Sequence, residues 1–389
     1  MDQNQVFHLP EILKQREHIL VIGVGGGGGN ALNHIIESGV EGVEFVAANT
    51  DSRALGVNKA PHKIILGEKL TKGLGAGADP QIGMDAAKES IDRIREYING
   101  ADMVFVTAGM GGGTGTGAAP IIAEVAKDMG VLVVGVVTTP FSFEMKKRSM
   151  VAQEGIVKLK EKVDALLVVE NDKLLTQADD KTKSTDAYKM ANEVLRQAVQ
   201  GVTDLILKPG DINVDFADVR TVMRNAGSAI MGIGVGEGDN RAEMAAKAAI
   251  KSPLMSLPLK GAKGILFNIE TGPDVGLFEI TKAANIINET AHEDAQVIWG
   301  HSINEDAGNI IRITVIATGF SESGERPPAP AYKPGFSVVS VRPGLKGGGT
   351  HTFSVDEADL SIGGEDMFKG MPEMPTATYD TPAILRKRK

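Results

Sequence analysis

The sequence predicts a doubly wound α/β domain, built on a parallel sheet, that is followed by a smaller α+β domain. Short continuous apolar runs alternate with helical patterns through the first half of the chain, as in strands buried on both faces of a parallel sheet. Two of these runs lead into clusters of glycine. From Ser228 onward, four apolar runs alternate with only two helical patterns, which is typical of mixed α+β structure.

The elements follow in chain order. An apolar run at Ile19–Val24 precedes the glycines Gly25–Gly29, which we expect to form a loop, and then a helix whose Ala31, Ile35 and Ile36 share a face. The further predicted strands of this domain are 43–48, 63–66, 102–107, 131–138 and 166–169, and its predicted helices are 82–98, 118–129 and 183–207. The second domain is predicted to contain strands at 230–235, 264–269, 295–299 and 310–317, and helices at 241–251 and 275–289.

The composition limits the classes of function. The chain has 389 residues and a net charge of −9, which disfavours direct nucleic-acid binding because that requires a basic face. It has no cysteine, which excludes disulfides, thiolate metal sites and a cysteine nucleophile and fits a reducing compartment. No apolar run approaches the ~18 residues of a membrane helix, and the first 17 residues lack an apolar signal core. We therefore expect no transmembrane segment and no export signal.

The first glycine cluster predicts an anion site without identifying the ligand. Gly23, Gly25 and Gly28 satisfy the dinucleotide fingerprint, and Asp51 lies where its ribose-binding acid belongs. A nicotinamide- or flavin-dependent oxidoreductase is therefore one alternative. A P-loop is excluded, because Asn30 follows the glycines where Lys and then Ser or Thr would be needed.

The second cluster, GMGGGTGTG at Gly109–Gly117, favours a longer polyphosphate. Six glycines in nine residues exceed what a turn needs, and each costs roughly 0.5–1 kcal/mol of chain entropy. Thr114 and Thr116 add hydroxyl donors without charge. Because both clusters follow strands of one parallel sheet, they should lie at its carboxyl edge and hold a polyphosphate from two sides through backbone amides.

An ordered set of motifs resembles the tubulin/FtsZ family. GGGTGTG at Gly111–Gly117 is the tubulin signature, and the resemblance covers about residues 17–320 and resumes at the C-terminal peptide. It implies a GTP-binding and GTP-hydrolysing cytoskeletal protein that polymerises head to tail and forms the division-site ring in bacterial cytokinesis. The other matching motifs are VIGVGGGGGN at Val21–Asn30, NTD at Asn49–Asp51, GLGAGADP at Gly73–Pro80, NVDFADVR at Asn213–Arg220 and SPLM at Ser252–Met255.

By this resemblance the ligand is GTP or GDP, and each matching residue acquires an expected role. Glu144 and Arg148 match the family's ribose-contacting pair, although residues four apart on a helix would otherwise form a surface ion pair. Asn171, Tyr188 and Asn192 would select guanine; Tyr188 and Asn192 replace the Phe and Asp of many members, and the alternative is that they are ordinary helix-face residues. The remaining implied contacts are Gly25, Gly26, Gly27 and Gly28 along the phosphates, Asn30 near the nucleoside, Gly75, Ala76 and Gly77 in a loop that senses the γ-phosphate, and Gly111, Gly112, Gly113, Thr114, Gly115 and Thr116 around the β- and γ-phosphates.

The implied catalytic residues are Asn213, Asp215 and Asp218. Their loop would enter the nucleotide pocket of the next subunit, where the aspartates would orient and polarise the attacking water. The alternative for either aspartate is capping of the following helix. The resemblance also implies Mg²⁺, held mainly by phosphate and water. A filament protein that binds GTP without hydrolysing it is the second alternative function.

The tail resembles the family's C-terminal peptide, which binds membrane tethers and division regulators. A cytoplasmic protein at the midcell division site is therefore implied. The four terminal cations would add attraction to anionic lipid of about 1 kcal/mol per charge. The matching tail residues are Asp380, Pro382, Ala383, Ile384, Leu385 and Arg386. The predicted organisation is a flexible extension at 1–17, a GTP-binding domain at 18–182, a central helix at 183–210, a C-terminal α+β domain at 211–320 with the catalytic loop at its start, a disordered linker at 321–378 and the partner-binding peptide at 379–389.

Overall fold

The computed structural model describes residues 17–175, 183–207, 214–255 and 257–320. The described strands are β1 (Ile19–Val24), β2 (Val43–Asn49), β3 (His62–Ile65), β4 (Met103–Gly109), β5 (Leu132–Thr139), β6 (Ala165–Glu170), β7 (Gly227–Glu237), β8 (Gly264–Thr271), β9 (Gln296–Ile303) and β10 (Ile310–Thr318). The α-helices in the same ranges are α1 (Gly25–Glu37), α2 (Ser52–Gly56), α3 (Glu68–Thr71), α4 (Pro80–Glu89), α5 (Ile91–Ile98), α6 (Thr114–Asp128), α7 (Lys146–Lys160), α8 (Asn171–Leu174), α9 (Ser184–Leu207), α10 (Phe216–Met223), α11 (Arg241–Ile250) and α12 (Leu277–Thr290).

The strands form one sheet in the order β3-β2-β1-β4-β5-β6-β7-β10-β8-β9. Pairing is parallel from β3 through β7, antiparallel on both sides of β10, and parallel again between β8 and β9. The strands that follow β1 in the chain, β2 and β3, are added on one side of it, whereas β5 and β6, which follow β4, are added on the other side. The direction in which strands are added therefore reverses between β1 and β4. Ligands of doubly wound sheets bind at such a switch point, and both glycine clusters follow these two strands.

The two faces of β1 bury alternate residues in separate cores. Ile19 and Val21 pack with α1 and α9 on one face, whereas Leu20 and Ile22 pack with α4, α5 and α6 on the other. All four side chains are at most 1 % exposed. The alternation explains why the strand is apolar throughout, and the predicted α/β fold class is confirmed. A third core packs α11 and α12 against the mixed part of the sheet.

Some element boundaries differ from the prediction. Helix α1 begins at Gly25, directly after β1, so the expected glycine loop is wrong and the glycines form the first turns of the helix. The helix predicted at 82–98 is divided into α4 and α5 at Ser90. The Ser90 hydroxyl accepts a hydrogen bond from the Gly67 backbone N–H at 3.0 Å, and its own backbone leaves the helical conformation. The short helices α2, α3 and α8 have too few residues to give a periodic pattern.

Helix α9 joins opposite edges of the sheet. Its 24 residues span ~36 Å at 1.5 Å per residue. Near its start, Tyr188 meets Phe141 beyond the carboxyl end of β5, with ring centroids 5.3 Å apart. After its end, α10 places the Arg220 guanidinium 3.4 Å from the carbonyl oxygen of Gly130, just before the amino end of β5. The chain segments on either side of α9 therefore lie at opposite edges.

Candidate functional site

The glycines of α1 divide into packed and open positions. A Cβ at Gly28 would lie 2.3 Å from the carbonyl oxygen of Thr107 in β4, so glycine lets this helix approach the sheet closely. At Gly26 a Cβ would meet nothing within 4 Å, and the residue is exposed. Gly25 has a φ of 70°, which favours glycine. Backbone amides at the open positions are free to approach an anion at the helix N-terminus.

The second glycine cluster forms a tight turn between β4 and α6. Gly111 has a φ of 97°, and a Cβ at Gly112 would meet open space. The hydroxyl of Thr116 accepts the backbone N–H of Gly111 at 2.8 Å and is buried, so Thr116 closes the turn from inside. The hydroxyl of Thr114 lies 2.7 Å from that of Thr50 at the end of β2. The turn thus leaves open space beside the half-buried Gly112, and the hydrogen bond between Thr114 and Thr50 links the turn to the neighbouring loop.

The loop after α3 lies against this turn. Gly75 donates its backbone N–H to the carbonyl of Thr50 at 3.1 Å, and Ala76 is buried. A Cβ at Gly113 would lie 2.9 Å from that of Ala76. The backbone carries several left-handed residues here, including Gly75, Gly77 and the non-glycine Ala78. The structure therefore brings the three predicted loop residues, Gly75, Ala76 and Gly77, beside the second glycine cluster.

Glu144 and Arg148 form an ion pair of 2.9 Å, but they do not share a helix: Glu144 ends a short 3₁₀ turn, Met145 has a φ of 76°, and α7 begins at Lys146. The pair is unlike an ordinary surface pair, because the Glu144 side chain is only 9 % exposed. Its second oxygen accepts the backbone N–H of Phe141 at 3.0 Å. Burial and the adjacent Glu144 carboxylate raise the pKa of the Tyr188 hydroxyl. The predicted ribose pair and the predicted guanine residue Tyr188 are thus neighbours at the end of β5.

Asn171 supplies an unsatisfied polar atom at the same edge. It follows β6, is 3 % exposed, and its side-chain oxygen has no hydrogen-bond partner within the described ranges. A buried acceptor without a partner is costly, so this atom is suited to a donor from outside the chain. Asn192 lies one helical turn after Tyr188 on α9 and is half-buried. Asn30 is exposed on α1 and lines a cleft with Asn33 and Asn49.

A partly buried ionic cluster fixes α9 against α1. Glu193 accepts hydrogen bonds from His34 of α1 at 2.9 Å and from two nitrogens of Arg196 at 2.6 and 2.8 Å. Burial raises the pKa of Glu193, but the bonds from Arg196 and His34 outweigh that effect and lower it to about 2. The cluster holds the helix that carries the open glycines at a fixed position relative to the helix that carries Tyr188. No sequence motif pointed to it.

The predicted catalytic aspartates lie away from this edge. Asp215 caps α10 by accepting the backbone N–H of Ala217 at 3.2 Å, and it remains exposed. Asp218 is exposed in the first turn of the same helix. Both lie in the segment after α9, at the amino edge. Asn213 and the six predicted residues of the C-terminal peptide lie outside the described residues, as do the predicted extension up to residue 16 and the linker.

Sequence reasoning missed three contributors to the site. Thr50 meets Thr114, and Phe141 and Phe143 stack with ring centroids 5.0 Å apart and 11° between their planes. Phe141 and Phe143 also contact the ring of Tyr188 edge-on. Aromatic residues make up only 4 % of the chain, so two of them within three residues of each other beside Glu144 is the sequence signal that could have identified Phe141 and Phe143.

Comparisons with known proteins agree with this geometry. The family model for the tubulin/FtsZ GTPase domain matches residues 18–179, and that for the FtsZ C-terminal domain matches residues 227–321. A solved structure of an FtsZ dimer from M. jannaschii is 43 % identical, has a TM-score of 0.76, and aligns over 79 % of this chain and 90 % of its own. CetZ2 from Haloferax volcanii, solved as a GTPγS-bound protofilament, is 24 % identical with a TM-score of 0.67, covers 79 % of this chain and 95 % of its own, and supports the fold alone.

These matches exclude the dinucleotide-dependent oxidoreductase that the first glycine cluster left open, and the glycines of α1 are instead part of a GTP- and GDP-binding domain. None of the helices in the described ranges is long and apolar enough to cross a membrane. Both matched segments occur in the family's order, one on each side of α9. The chain therefore belongs to the tubulin/FtsZ family and is a GTPase of that family.

Proposed function

We propose that this GTPase polymerises head to tail and that each active site is completed by the neighbouring molecule. The observation that carries the proposal is the separation created by α9. Asn171, Tyr188 and the open glycines lie at the carboxyl edge of the sheet, whereas Asp215 and Asp218 follow the end of a helix ~36 Å long. Groups that distant cannot act on one bound nucleotide. A head-to-tail contact joins opposite edges of two copies and generates an open filament.

The chemistry of the carboxyl edge suits GTP. Open backbone at Gly26 and Gly112 leaves room for phosphate oxygens on two sides, and the amides there are donors that need no lysine. The unsatisfied oxygen of Asn171 is suited to an N–H of guanine. Tyr188, held edge-on to Phe141, offers an aromatic face for a purine. Asn192 would read the base by neutral hydrogen bonds, which are weaker than those of a carboxylate.

In hydrolysis the chain would mainly position and polarise groups. Glu144 and Arg148, already paired at 2.9 Å, would fix the ribose. Asp218 and Asp215 of the neighbouring molecule, together with Asn213, would orient the water for in-line attack. The described residues include no group of three or more His, Asp or Glu that could hold a metal ion. Mg²⁺ would be held mainly by phosphate oxygens and water, and when bound it would neutralise charge on the triphosphate.

The cellular role that we infer is the division-site ring of bacterial cytokinesis, in the cytoplasm at midcell. The C-terminal peptide, Asp380 to Arg386 with the cations that follow, would connect the filament to membrane tethers and division regulators. A relative that is 43 % identical to this chain was solved as an FtsZ dimer, which supports self-association of such chains. We also propose for this protein the domain boundaries and the site residues that its sequence predicts.

Mixing two inactive variants tests whether the site is shared. Gly112→Asp places a negative charge where phosphate would bind, and Asp218→Asn removes the aspartate. Each variant alone should release little phosphate from GTP. In a 1:1 mixture, random neighbours restore complete sites to about a quarter of the wild-type number, because one molecule contributes its pocket and the next its aspartate. The double variant, mixed with wild type at equal concentration, is the matched control for dilution.

Recovery of phosphate release in the mixture supports catalysis between neighbours. A mixture that stays as inactive as its components, while Asp218→Asn alone still forms filaments visible by sedimentation, contradicts it. Wild-type phosphate release should also rise more steeply than linearly with protein concentration, since complete sites form only on assembly. A rate strictly proportional to concentration, from dilute monomer upward, would refute assembly-dependent hydrolysis.

A further inference from the structure

Thr50 lies buried at the end of β2, and its hydroxyl reaches the second glycine cluster. It follows Asn49, the last residue of the strand, and is 0 % exposed. Its Oγ1 lies 2.7 Å from the Oγ1 of Thr114, which is the hydrogen-bond partner of this hydroxyl within the described residues. Because each hydroxyl carries one proton, only one of the two threonines donates in this contact.

The backbone on both sides of the Thr50 side chain is held by hydrogen bonds. The carbonyl oxygen of Thr50 accepts the backbone N–H of Gly75 at 3.1 Å and the hydroxyl of Thr71 at 3.4 Å. The carbonyl oxygen of Asn49 accepts the backbone N–H of Leu66 at 2.9 Å. A β-branched side chain has few rotamers. The Thr50 hydroxyl is therefore fixed in place before any ligand binds.

Thr114 lies on the open side of this contact, where the two glycine clusters meet. It is the half-buried first residue of α6, and a Cβ at Gly25, the first residue of α1, would lie 3.3 Å from its own Cβ. Thr116, in contrast, is 3 % exposed, and its hydroxyl accepts the Gly111 N–H inside the turn. Thr114 is thus the threonine of the cluster that lies beside two helix N-termini, where negative charge is favoured.

The charge of a phosphate decides which hydroxyl must donate. Ionised phosphate oxygens only accept hydrogen bonds. If Thr114 donated its proton to Thr50, it would present only lone pairs to a phosphate oxygen, and the two would repel. If Thr50 donates to Thr114, the Thr114 proton can point at the phosphate, and a hydroxyl that accepts one hydrogen bond donates a stronger one.

We propose that Thr50 is a positioning residue for GTP, which donates to Thr114 and thereby directs the Thr114 proton to a phosphate oxygen. Thr50 itself touches no nucleotide and acts through Thr114. The inference rests on the proposed contact between Thr114 and phosphate, and it assigns to a buried residue the orientation of that donor. The Thr50 carbonyl at the same time holds Gly75 of the neighbouring loop.

Two substitutions in the full chain separate the hydroxyl from the shape of the side chain. Thr50→Val keeps the branched shape and removes the hydroxyl, whereas Thr50→Ser keeps the hydroxyl. Calorimetric titration with GTP is done on nucleotide-free protein, at concentrations below those that give sedimentable polymer. Thr50→Val should weaken GTP binding about fivefold or more, because a hydrogen bond to a charged acceptor is lost or weakened. Thr50→Ser should bind GTP within about twofold of wild type.

A double variant distinguishes action through Thr114 from structural damage. If Thr50 acts through Thr114, adding Thr50→Val to Thr114→Val should cost no further GTP affinity. Independent structural effects would instead multiply the two losses. Thr318→Val is the matched control, because Thr318 is also a buried threonine at a strand end, 1 % exposed, and its hydroxyl donates to the carbonyl of Val222 at 3.1 Å. This control should leave GTP affinity unchanged.

The outcomes separate this inference from the proposed phosphate site. If Thr114→Val weakens GTP binding but Thr50→Val binds like wild type, the inference is wrong and the phosphate contact of Thr114 stands. Multiplied losses in the double variant, or an equal loss in Thr318→Val, also overturn the inference. If Thr114→Val binds GTP like wild type, the proposed contact between Thr114 and phosphate fails and this inference fails with it.

Discussion

Gly26→Ala and Gly28→Ala place the same methyl group two residues apart on α1, and we expect opposite effects on stability. At Gly28 the new Cβ would lie 2.3 Å from the Thr107 carbonyl oxygen and 3.0 Å from the Gly23 carbonyl carbon, against ordinary contact from 3.4 Å. Both obstacles are backbone and cannot rotate away. Overpacking of this kind costs about 3 kcal/mol, and alanine's better helix propensity returns about 1 kcal/mol. The expected net loss is about 2 kcal/mol of unfolding free energy.

At Gly26 the added methyl group meets nothing within 4 Å in the protein. Only the gain in helix propensity remains, at most about 1 kcal/mol, so the nucleotide-free protein should unfold at the wild-type temperature or slightly above. The methyl group enters the space proposed for phosphate, and GTP affinity should fall at least about tenfold, or 1.4 kcal/mol.

Thermal unfolding without nucleotide and calorimetric titration with GTP measure these two effects separately. A shift of about 2–4 °C is expected for each kcal/mol. Gly112→Ala, also in open space, is the matched variant in the second cluster. Unchanged GTP affinity in both open-position variants would refute the assignment of these turns to phosphate. A Gly28→Ala protein as stable as wild type would refute the packing argument.

Three further outcomes are expected. Asp218→Asn should bind GTP like wild type but lose most phosphate release in assembled samples, and retained turnover would remove this residue from the mechanism. Deleting residues 379–389 should leave GTPase activity and sedimentation largely intact; loss of GTPase activity would mean that the tail is not a separate module. A hydrogen bond to Glu44 is the main cause that raises the pKa of His18 above its ordinary 6.5. Its stabilisation is therefore complete below pH 6.5 and lost as pH rises through the folded-state pKa. The difference in unfolding free energy between wild type and His18→Gln should accordingly be larger at pH 6 than at pH 8, and an equal difference at both would contradict this origin.

The sequence predicted the fold well where all residues of a segment have the same environment in the structure. Ile19–Val24 is apolar at every position because both faces are buried, and the parallel sheet follows from that run and those like it. Glycine was harder to interpret, since the letter is the same whether it permits close packing, as at Gly28, or leaves open space, as at Gly26. Only the position of β4 opposite the helix distinguishes the two.

Long-range pairing was the other limit. Glu144 and Arg148 read as a surface pair because nothing local indicates that Phe141 and the start of α9 cover the carboxylate. The contact between His34 and Glu193 joins residues 159 positions apart and leaves no pattern. Thr116 was predicted to contact the phosphates, and nothing in its motif indicated that its hydroxyl is buried and accepts the Gly111 N–H inside the turn. Motif matching placed these residues near one another but did not specify which way each side chain faces.

Because α9 separates the two halves of each active site, GTP in the proposed filament would be hydrolysed in the order in which the molecules were added. If each complete active site is formed between two adjacent molecules, a filament contains one fewer complete active site than it has molecules. The molecule at one end of the filament would retain its GTP until another molecule binds there, and hydrolysis could begin only after that addition. Contacts formed earlier would release phosphate first, so the GDP content would increase with distance from the growing end. The separation imposed by the 24-residue helix α9 would also prevent unassembled molecules from hydrolysing GTP.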